Sequence, residues 1–256
     1  MKTASALPVR PRRSRARLAG ALIAVVVVTG GGAAQASSLG SSAPGSSSGD
    51  GREITISFVR HAESFGNVSE VINTSVPGPM LTELGHRQAA DVATDLADRD
   101  FEAIYASVMP RSQQTAEYLA REEGMKVDVI DGVKEIQFGL DGIPQAEVTD
   151  VLAEVLGGWR AGNLNAEFDE PGESGHEFRA RFNGALEEIY RSGSNNSVVY
   201  AHSASIMLGT LLNDPGHDLD IWGADTLRNA GIVTLEGSPD VGWRIVEWNS
   251  EPVDAG

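Results

Sequence analysis

From residue 52 onward, short apolar runs alternate with longer segments in which apolar residues recur at helical spacing. The runs are rich in β-branched and aromatic side chains, which pack well on a pleated sheet, and they predict buried strands. These strands are residues 54–59, 103–106, 127–130 and 197–201, followed by a closing hairpin of 232–236 and 243–248.

The segments between the strands carry helix start and stop signals, among them an N-cap at Thr82, Pro110 near a helix start and Gly124 at a helix end. The predicted helices are residues 82–99, 110–123, 148–156, 174 to about 191, and 202–212. Strands that alternate with helices predict an α/β fold, here a three-layer α/β/α sandwich with a mainly parallel sheet. We interpret residues 137–172, which interrupt the alternation, as an insertion over the sheet.

Residues 1–36 carry six basic residues and no acidic one, then an apolar run at 18–28, three glycines and Ala34-Gln35-Ala36. A basic start, a short apolar run and an A-x-A site are typical of a secretory signal peptide. The run is shorter than the about 20 residues that a membrane span needs. We expect a signal peptide at 1–36, a flexible Gly/Ser linker at 37–51 and a folded domain at 52–256. Retention as an anchor, and the choice between Sec and twin-arginine export, stay open.

Composition limits the classes of function. With 41% hydrophobic residues the chain can bury a core, and with no cysteine it has no disulfide, thiolate nucleophile or Cys-type zinc site. The chain has 20 basic and 36 acidic residues, so loss of the six basic ones in 1–36 leaves a net charge near −22. We therefore expect no nucleic-acid partner and no stable membrane association after signal cleavage. A locally basic pocket can still bind an anion, because salt screens repulsion beyond about 8 Å.

Side chains that can bind an anion or transfer protons to it follow four predicted strands. Arg60 and His61 come directly after the first strand, Arg111 and Glu135 after the second and third, and His202 after the fourth. Arg111 also lies in the first turn of a helix, where free N–H groups and the helix dipole favour anions. Because ligands bind at the carboxyl ends of strands in open α/β sheets, we expect these side chains to form one site.

Two arginines and two histidines around one pocket suit a dianion such as a phosphoryl group. His61 can attack phosphorus through an imidazole nitrogen and carry a covalent intermediate. Glu135 would protonate the leaving alkoxide and later deprotonate the attacking water. The side chains expected to bind the phosphate oxygens are Arg60, Asn67, Arg111, His202 and Ser203. Since the arginines neutralise the charge, we expect neither a metal nor another cofactor.

Several motifs support this interpretation. Arg60-His61-Ala62-Glu63 with a later Asn67 corresponds to R-H-G-E and its asparagine, and L-T-x-x-G-x-x-Q-A occupies residues 81–89. S-x-x-x-R-x-x-Q-T-A occupies residues 107–116, and G-E-S occupies 172–174. With these motifs, over nearly all of residues 52–250, the chain resembles the histidine phosphatase superfamily, in its phosphoglycerate-mutase-like branch.

The resemblance implies His61 as the phosphoacceptor and Glu135 as the proton donor, with Arg60, Asn67, Arg111 and His202 as the phosphate pocket. Ala62 and Ser203 stand where the family has glycine. Both residues are small, so we expect an altered loop and an intact site. The motif around Glu135 is loose, and Glu63 and Asp141 are alternative candidates for the proton donor.

These residues predict an exported phosphomonoesterase, secreted or held in the cell envelope, that acts on a small-molecule phosphate ester. One alternative is a phosphoglycerate mutase, although the chain lacks the W-N-x-x-N-R-F-T-G-W-type stretch of that branch. Another alternative is a non-catalytic envelope protein that binds phosphorylated ligands. We leave the substrate and the oligomeric state open. Specificity would come from the insertion, where these residues either line the cavity or form a small core: Phe138, Leu140, Trp159, Arg160 and Phe168.

Overall fold

The computed structural model describes residues 51–168 and 172–253. The predicted signal peptide, and the predicted linker except for its last residue, lie outside these ranges. The strands are β1 Ile54–Arg60, β2 Ala103–Ser107, β3 Val127–Ile130, β4 Asn196–Ala201, β5 Ile232–Ser238, β6 Gly242–Trp248 and β7 Glu251–Pro252. The α-helices are α1 Phe65–Ser69, α2 Glu83–Leu96, α3 Pro110–Glu122, α4 Gln145–Arg160, α5 Gly175–Arg191 and α6 Ser203–Asn213, with 3₁₀ turns at Ala97–Arg99 and Asp131–Val133.

The strands form one mixed sheet in the order β3-β2-β4-β1-β5-β6-β7. The pairs β3/β2, β2/β4 and β4/β1 are parallel, whereas β1/β5, β5/β6 and β6/β7 are antiparallel. The prediction of a mainly parallel sheet therefore holds for the four strands that precede the candidate site residues. Because these strands are neighbours and run in the same direction, their carboxyl ends lie side by side at one edge of the sheet.

Helices cover both faces of the sheet. Successive side chains of a strand point to opposite faces, and two separate apolar clusters result. Ile56 and Phe58 of β1 belong to a cluster with residues of α4, α5 and α6, whereas Val59 belongs to a cluster with residues of α2 and α3. The predicted three-layer α/β/α sandwich is confirmed.

Helix α4 is longer than predicted, at Gln145–Arg160 where the sequence indicated 148–156. Gly157 and Gly158 weaken helical propensity, but Trp159 is fully buried and stacks on Phe178 with ring centroids 5.8 Å apart. Tertiary packing therefore extends the helix past the two glycines. None of the helices in the described part of the chain is long and apolar enough to cross a membrane.

Candidate active site

His61 follows β1 and is 4% exposed. Its Nδ1 lies 2.7 Å from the carbonyl oxygen of Ala62. A carbonyl only accepts, so Nδ1 carries the proton and Nε2 keeps its lone pair. The Nε–H of Arg111 donates to this Nε2 over 3.0 Å. The local backbone thus selects the tautomer whose nucleophilic nitrogen faces the arginine.

His202 follows β4, and its ring centroid lies 5.2 Å from that of His61. The ring is fully buried. Its Nε2 lies 2.7 Å from Oγ of Ser107 and 3.2 Å from Oγ of Ser112. The hydroxyls of the last residue of β2 and of the first turn of α3 therefore hold the second histidine beside the first.

The two arginines present unused donors at the same place. Arg60 donates through Nη1 to the carbonyl oxygen of Leu227 over 2.6 Å, and Arg111 is 3% exposed. Within residues 51–168 and 172–253, three buried nitrogens of this cluster have no hydrogen-bond partner: Arg60 Nε, Arg111 Nη1 and His202 Nδ1. Buried donors without partners are rare in folded proteins and costly. A bound anion would satisfy such donors.

Glu135 lies beyond β3, 9% exposed, with its carboxylate against the first turn of α6. Its Oε1 accepts from the N–H groups of Ile136 and Ser205, both over 2.9 Å, and Oε2 accepts from Ala204 over 3.3 Å. Burial raises the pKa of Glu135 above its ordinary 4.5, although Arg111 and these N–H groups oppose the rise. Oε2 makes the fewer and longer contacts, so it is the oxygen better able to carry a proton.

The histidines and arginines have pKa values shifted the other way. Burial lowers the pKa of His61 well below its ordinary 6.5, and the charges of Arg111 and Arg60 lower it further. Burial and the charge of Arg111 do the same for His202. Burial lowers the pKa of Arg111 to about 10, so it stays protonated at neutral pH. The site therefore combines neutral imidazoles with charged guanidiniums.

A cavity of about 470 Å³ opens over this cluster, and its lining includes Arg60, His61, Arg111 and Glu135. Asn67 and Ser203, the other candidates, line the same cavity. The Oδ1 atom of Asn67 accepts from the backbone N–H and the hydroxyl of Ser64, over 2.9 and 3.0 Å. The structure thus places all seven sequence-derived candidates at or directly behind one cavity.

The two alternative proton donors are occupied elsewhere. An Oε atom of Glu63 accepts from the hydroxyl of Thr82 over 2.7 Å, at the start of α2. Asp141 accepts from the backbone N–H of Thr74 over 2.7 Å and from Ser75, and so ties the insertion to the loop after α1. Neither carboxylate lines the cavity, whereas Glu135 does.

Four of the five insertion residues take one of the two expected roles, and Arg160 takes neither. Phe138 lines the cavity. Trp159 and Phe168 are buried against each other, with ring centroids 5.9 Å apart, and belong to the core, against which Leu140 packs. Arg160 donates to the carbonyl oxygens of His217 and Leu219. The insertion's contribution to the cavity wall therefore comes mainly from other residues, those on one face of α4.

Several supporting residues were given no role by the sequence reasoning. Thr115 accepts the N–H of Ala62 over 3.1 Å, and Asn229 donates to the carbonyl oxygen of His61 over 2.9 Å. Gln114 and Gln88 accept the N–H groups of Leu81 and Glu63. Thr115, Gln114 and Gln88 lie within the motifs at residues 81–89 and 107–116, so the sequence already marked these three positions. Asn229 has no comparable signal, since it lies in an irregular segment before β5.

Arg181 of α5 also has a role that the sequence did not reveal. Its guanidinium donates to the carbonyl oxygens of Gly132 and Lys134, over 2.8 and 2.9 Å, and to that of Glu135 over 3.3 Å. The same guanidinium forms a mostly buried ion pair with Glu173, 2.5 Å between Nη2 and Oε1. Glu173 in turn accepts the N–H of Gln137 over 2.9 Å. This pair therefore fixes the backbone on both sides of Glu135.

Gly85, in the second motif, is required by a close approach. A Cβ at this position would lie 1.9 Å from the carbonyl oxygen of Glu63. That same carbonyl accepts the backbone N–H of Thr82 over 3.0 Å. A side chain at residue 85 would therefore push the start of α2 away from the loop that follows His61.

The model of the histidine phosphatase superfamily (branch 1) matches residues 56–251. The chain belongs to this superfamily. It is 35% identical over 222 residues to the PE-PGRS family protein PE_PGRS11 of Mycobacterium tuberculosis, which covers 80% of this chain and 38% of that protein. The chain thus spans well under half the length of this relative.

Other members of the superfamily are similar over most of their length. The "Probable phosphoglycerate mutase GpmB" of Shigella boydii is 30% identical over 178 residues, which cover 68% of this chain and 80% of that protein. The solved structure of a phosphoserine phosphatase from Entamoeba histolytica, in complex with 3-phosphoglyceric acid, superimposes with a TM-score of 0.61. It is 25% identical and covers 77% of this chain and 97% of its own. The superfamily therefore includes relatives named as phosphatases and as mutases.

Proposed function

We propose that the protein is an exported, metal-independent phosphomonoesterase that hydrolyses small phosphate esters through a phosphohistidine on His61. The observation that carries this proposal is the environment of His61 Nε2. Its lone pair is freed by the Nδ1–H···O contact to Ala62, and Arg111 donates to it. Buried donors of Arg60 and Arg111 with no protein partner in the described ranges lie around the same cavity.

In the first step, Nε2 of His61 attacks phosphorus, and the bond between phosphorus and the ester oxygen breaks. Before this attack, Arg111 exchanges its hydrogen bond to Nε2 for one to a phosphate oxygen. Binding of the dianion thereby exposes the lone pair of Nε2. Arg60 and Arg111 balance the charge on the phosphoryl oxygens. The leaving alkoxide takes the proton held by Glu135.

In the second step, water loses a proton to Glu135 and attacks the phosphohistidine, so that the N–P bond breaks and inorganic phosphate leaves. His61 returns to the neutral state with its proton still on Nδ1. Burial favours both required protonation states, since it raises the pKa of Glu135 and lowers that of His61. The charge is balanced by arginines throughout, which is why we propose a reaction without a metal.

The direct test is turnover of p-nitrophenyl phosphate by the protein in the presence of a metal chelator. We expect activity in the intact protein and its loss in His61→Ala by a factor of about 10³ or more. The N–P bond of the trapped phosphohistidine is labile in acid and stable in base. Rapid quenching in base should therefore retain phosphate on His61. Binding of phosphate without turnover would support the non-catalytic envelope protein instead.

The role of Glu135 has its own test. Glu135→Gln removes the proton but keeps the shape of the side chain. Alkyl phosphates have poor leaving groups and should lose about 10²–10⁴-fold in kcat/KM, which reports the first step, whereas p-nitrophenyl phosphate should lose much less in this parameter. Equal losses on both substrates would exclude Glu135 as the proton donor.

A phosphoglycerate mutase is the second candidate, because a relative carries that name. It predicts transfer of the phosphoryl group between hydroxyls of phosphoglycerate, whereas the phosphatase predicts release of inorganic phosphate. Measuring both products with 3-phosphoglycerate separates the two functions.

The proposed export rests on residues 1–36, with their basic start, apolar run and A-x-A site. Sequencing the N-terminus of the secreted protein should find residue 37 first. A product that keeps its first 36 residues would instead indicate a retained anchor.

A further inference from the structure

The cavity extends past the phosphate-binding groups into an outer part, and its lining there is mostly apolar, with the uncharged side chains of Asn73, Gln145, Thr149 and Thr226 among it. Its volume of about 470 Å³ is in the range of sites for small organic molecules. Arg60 and Arg111 are the only Arg or Lys side chains among its described lining residues, and both belong to the phosphate end. The alcohol part of a substrate would therefore contact no Arg or Lys side chain other than the two that bind the phosphate.

Helix α4 supplies one wall of this outer part. The residues that it contributes are Gln145, Thr149, Leu152, Ala153 and Leu156. Their spacing of three and four places them on one face of the helix. The half of this face nearer the helix C-terminus consists of aliphatic side chains only, and Leu152 and Leu156 are nearly buried.

A second part of the lining, from α6 and the segment after it, is also mostly apolar. It includes Met207 of α6 and the adjacent Ile221 and Trp222, which come after α6. Met207 and Ile221 are buried, whereas the Trp222 side chain is 44% exposed. An indole that is half accessible beside a cavity can pack against an apolar ligand that enters it.

Arg160 of the insertion and Arg181 of α5 are bound elsewhere. Arg160 is bound to backbone carbonyls of residues 217 and 219, and Arg181 is paired with Glu173. Neither lines the cavity. A carboxylate on the substrate would thus lose water without gaining an opposite charge, which is costly. The acidic chain would add repulsion to that cost.

We propose, on the basis of the proposed phosphatase function, that the substrates are phosphate monoesters of uncharged, apolar alcohols, alkyl or aryl. Esters whose alcohol part carries a carboxylate, such as 3-phosphoglycerate and phosphoserine, are then poor substrates. This selectivity differs from what the names of the relatives suggest, and it follows from the wall residues of this chain.

The test is a series of primary alkyl phosphates from ethyl to octyl, compared with 3-phosphoglycerate and phosphoserine. The alkyl esters have similar leaving groups, so differences in kcat/KM report binding of the alcohol part. We expect kcat/KM to rise about two- to fourfold for each added methylene until the chain reaches the mouth of the cavity. Octyl phosphate should exceed both carboxylate esters by a factor of about 10² or more.

A pair of variants in α4 sharpens the test. Thr149 is exposed to solvent and lines the cavity, so its replacement should leave the fold intact. Thr149→Lys should raise kcat/KM for 3-phosphoglycerate at least about fivefold and lower it for octyl phosphate. Ala146→Lys adds the same charge at an exposed residue of α4 that does not line the cavity, so it should do neither and serves as the control.

Binding of phosphonates, which are not hydrolysed, provides a second readout by calorimetry. Octylphosphonate should bind at least about tenfold more tightly than ethylphosphonate or 3-phosphonopropionate. Turnover of p-nitrophenyl phosphate together with equal or better use of carboxylate esters would overturn the inferred substrate class and leave the phosphatase intact. Absence of turnover on every ester would overturn the phosphatase function. If octylphosphonate, ethylphosphonate and 3-phosphonopropionate also bound with equal affinity, the inferred apolar selectivity would be overturned as well.

Discussion

The two ends of the cavity are built in opposite ways. At the phosphate end, His61, Arg111, Glu135 and His202 are buried and each is positioned by at least one hydrogen bond. At the outer end, the wall is one face of α4 with aliphatic side chains and an exposed Thr149. Few amino-acid substitutions at the phosphate end would preserve the reaction, whereas single residues of the outer wall can be substituted without altering it.

This difference separates chemistry from selectivity. Directional hydrogen bonds in a buried setting set protonation states and positions, so a change at the phosphate end alters the reaction itself. Apolar contacts at the outer end are not directional and scale with area, so a change there alters which ester binds. The predictions below test this division, from the largest expected effect to the smallest.

Among the variants that compare the two ends, the largest effect is expected for Arg111→Ala. The change removes both the donor to His61 Nε2 and a positive charge from the phosphate end. We expect kcat/KM for p-nitrophenyl phosphate to fall about 10²–10³-fold. Arg111→Lys keeps the charge without the guanidinium geometry and should recover only part of the loss. Full activity in Arg111→Ala would mean that this arginine does not touch the phosphoryl group.

Arg181→Gln should have the next largest effect, through stability and the position of Glu135. The pair with Glu173 is mostly buried, with side-chain exposures of 14% and 11%, so breaking it should cost up to about 3–5 kcal/mol of unfolding free energy. Urea denaturation measures this cost. The matched control is Arg191→Gln, whose pair with Glu187 is exposed, and which should cost about 0–1 kcal/mol. Similar costs for both variants would contradict the anchoring role.

The pH profile of kcat/KM tests the protonation states at the phosphate end. His61 must be neutral, and burial moves its pKa down from 6.5; Glu135 must be protonated, and burial moves its pKa up from 4.5. Activity is therefore lost as pH falls through the lowered pKa of His61 and as it rises through the raised pKa of Glu135. We expect a bell with a mildly acidic optimum. In Arg111→Ala the acid limb should move to higher pH, since a charge that lowers the pKa of His61 is gone. An optimum above pH 8 would contradict the assignment of Glu135 as the proton donor.

The smallest effect is expected for Trp222→Ala at the outer end. Ethyl phosphate, which has the shortest alcohol part of the series, should keep its kcat/KM within about twofold. The KM for octyl phosphate should rise about three- to tenfold, because a half-exposed indole supplies on the order of 1 kcal/mol of apolar contact. A large loss with ethyl phosphate would show that the two ends are coupled.

Much of this protein could be predicted from its sequence because the decisive residues lie directly after strands. Arg60, His61 and His202 each follow a strand that the apolar pattern identifies, and parallel neighbours bring such ends together. The motifs at residues 81–89 and 107–116 also contain Gln88, Gln114 and Thr115, which hold the loop after His61. The hydrogen bonds that give them this role are seen only in the structure.

Only the tertiary structure decided which residues surround the substrate's alcohol part and how Glu135 is held. Those features depend on the angle at which α4 and α5 dock and on contacts such as Arg181 to Lys134, 47 residues apart. Local propensity and periodicity carry no information about such docking, since any apolar helix face can pack in several orientations. The sequence by itself therefore determined the fold class, the family and the candidate chemistry, and the packing of distant segments determined the shape and charge of the cavity beyond the phosphate.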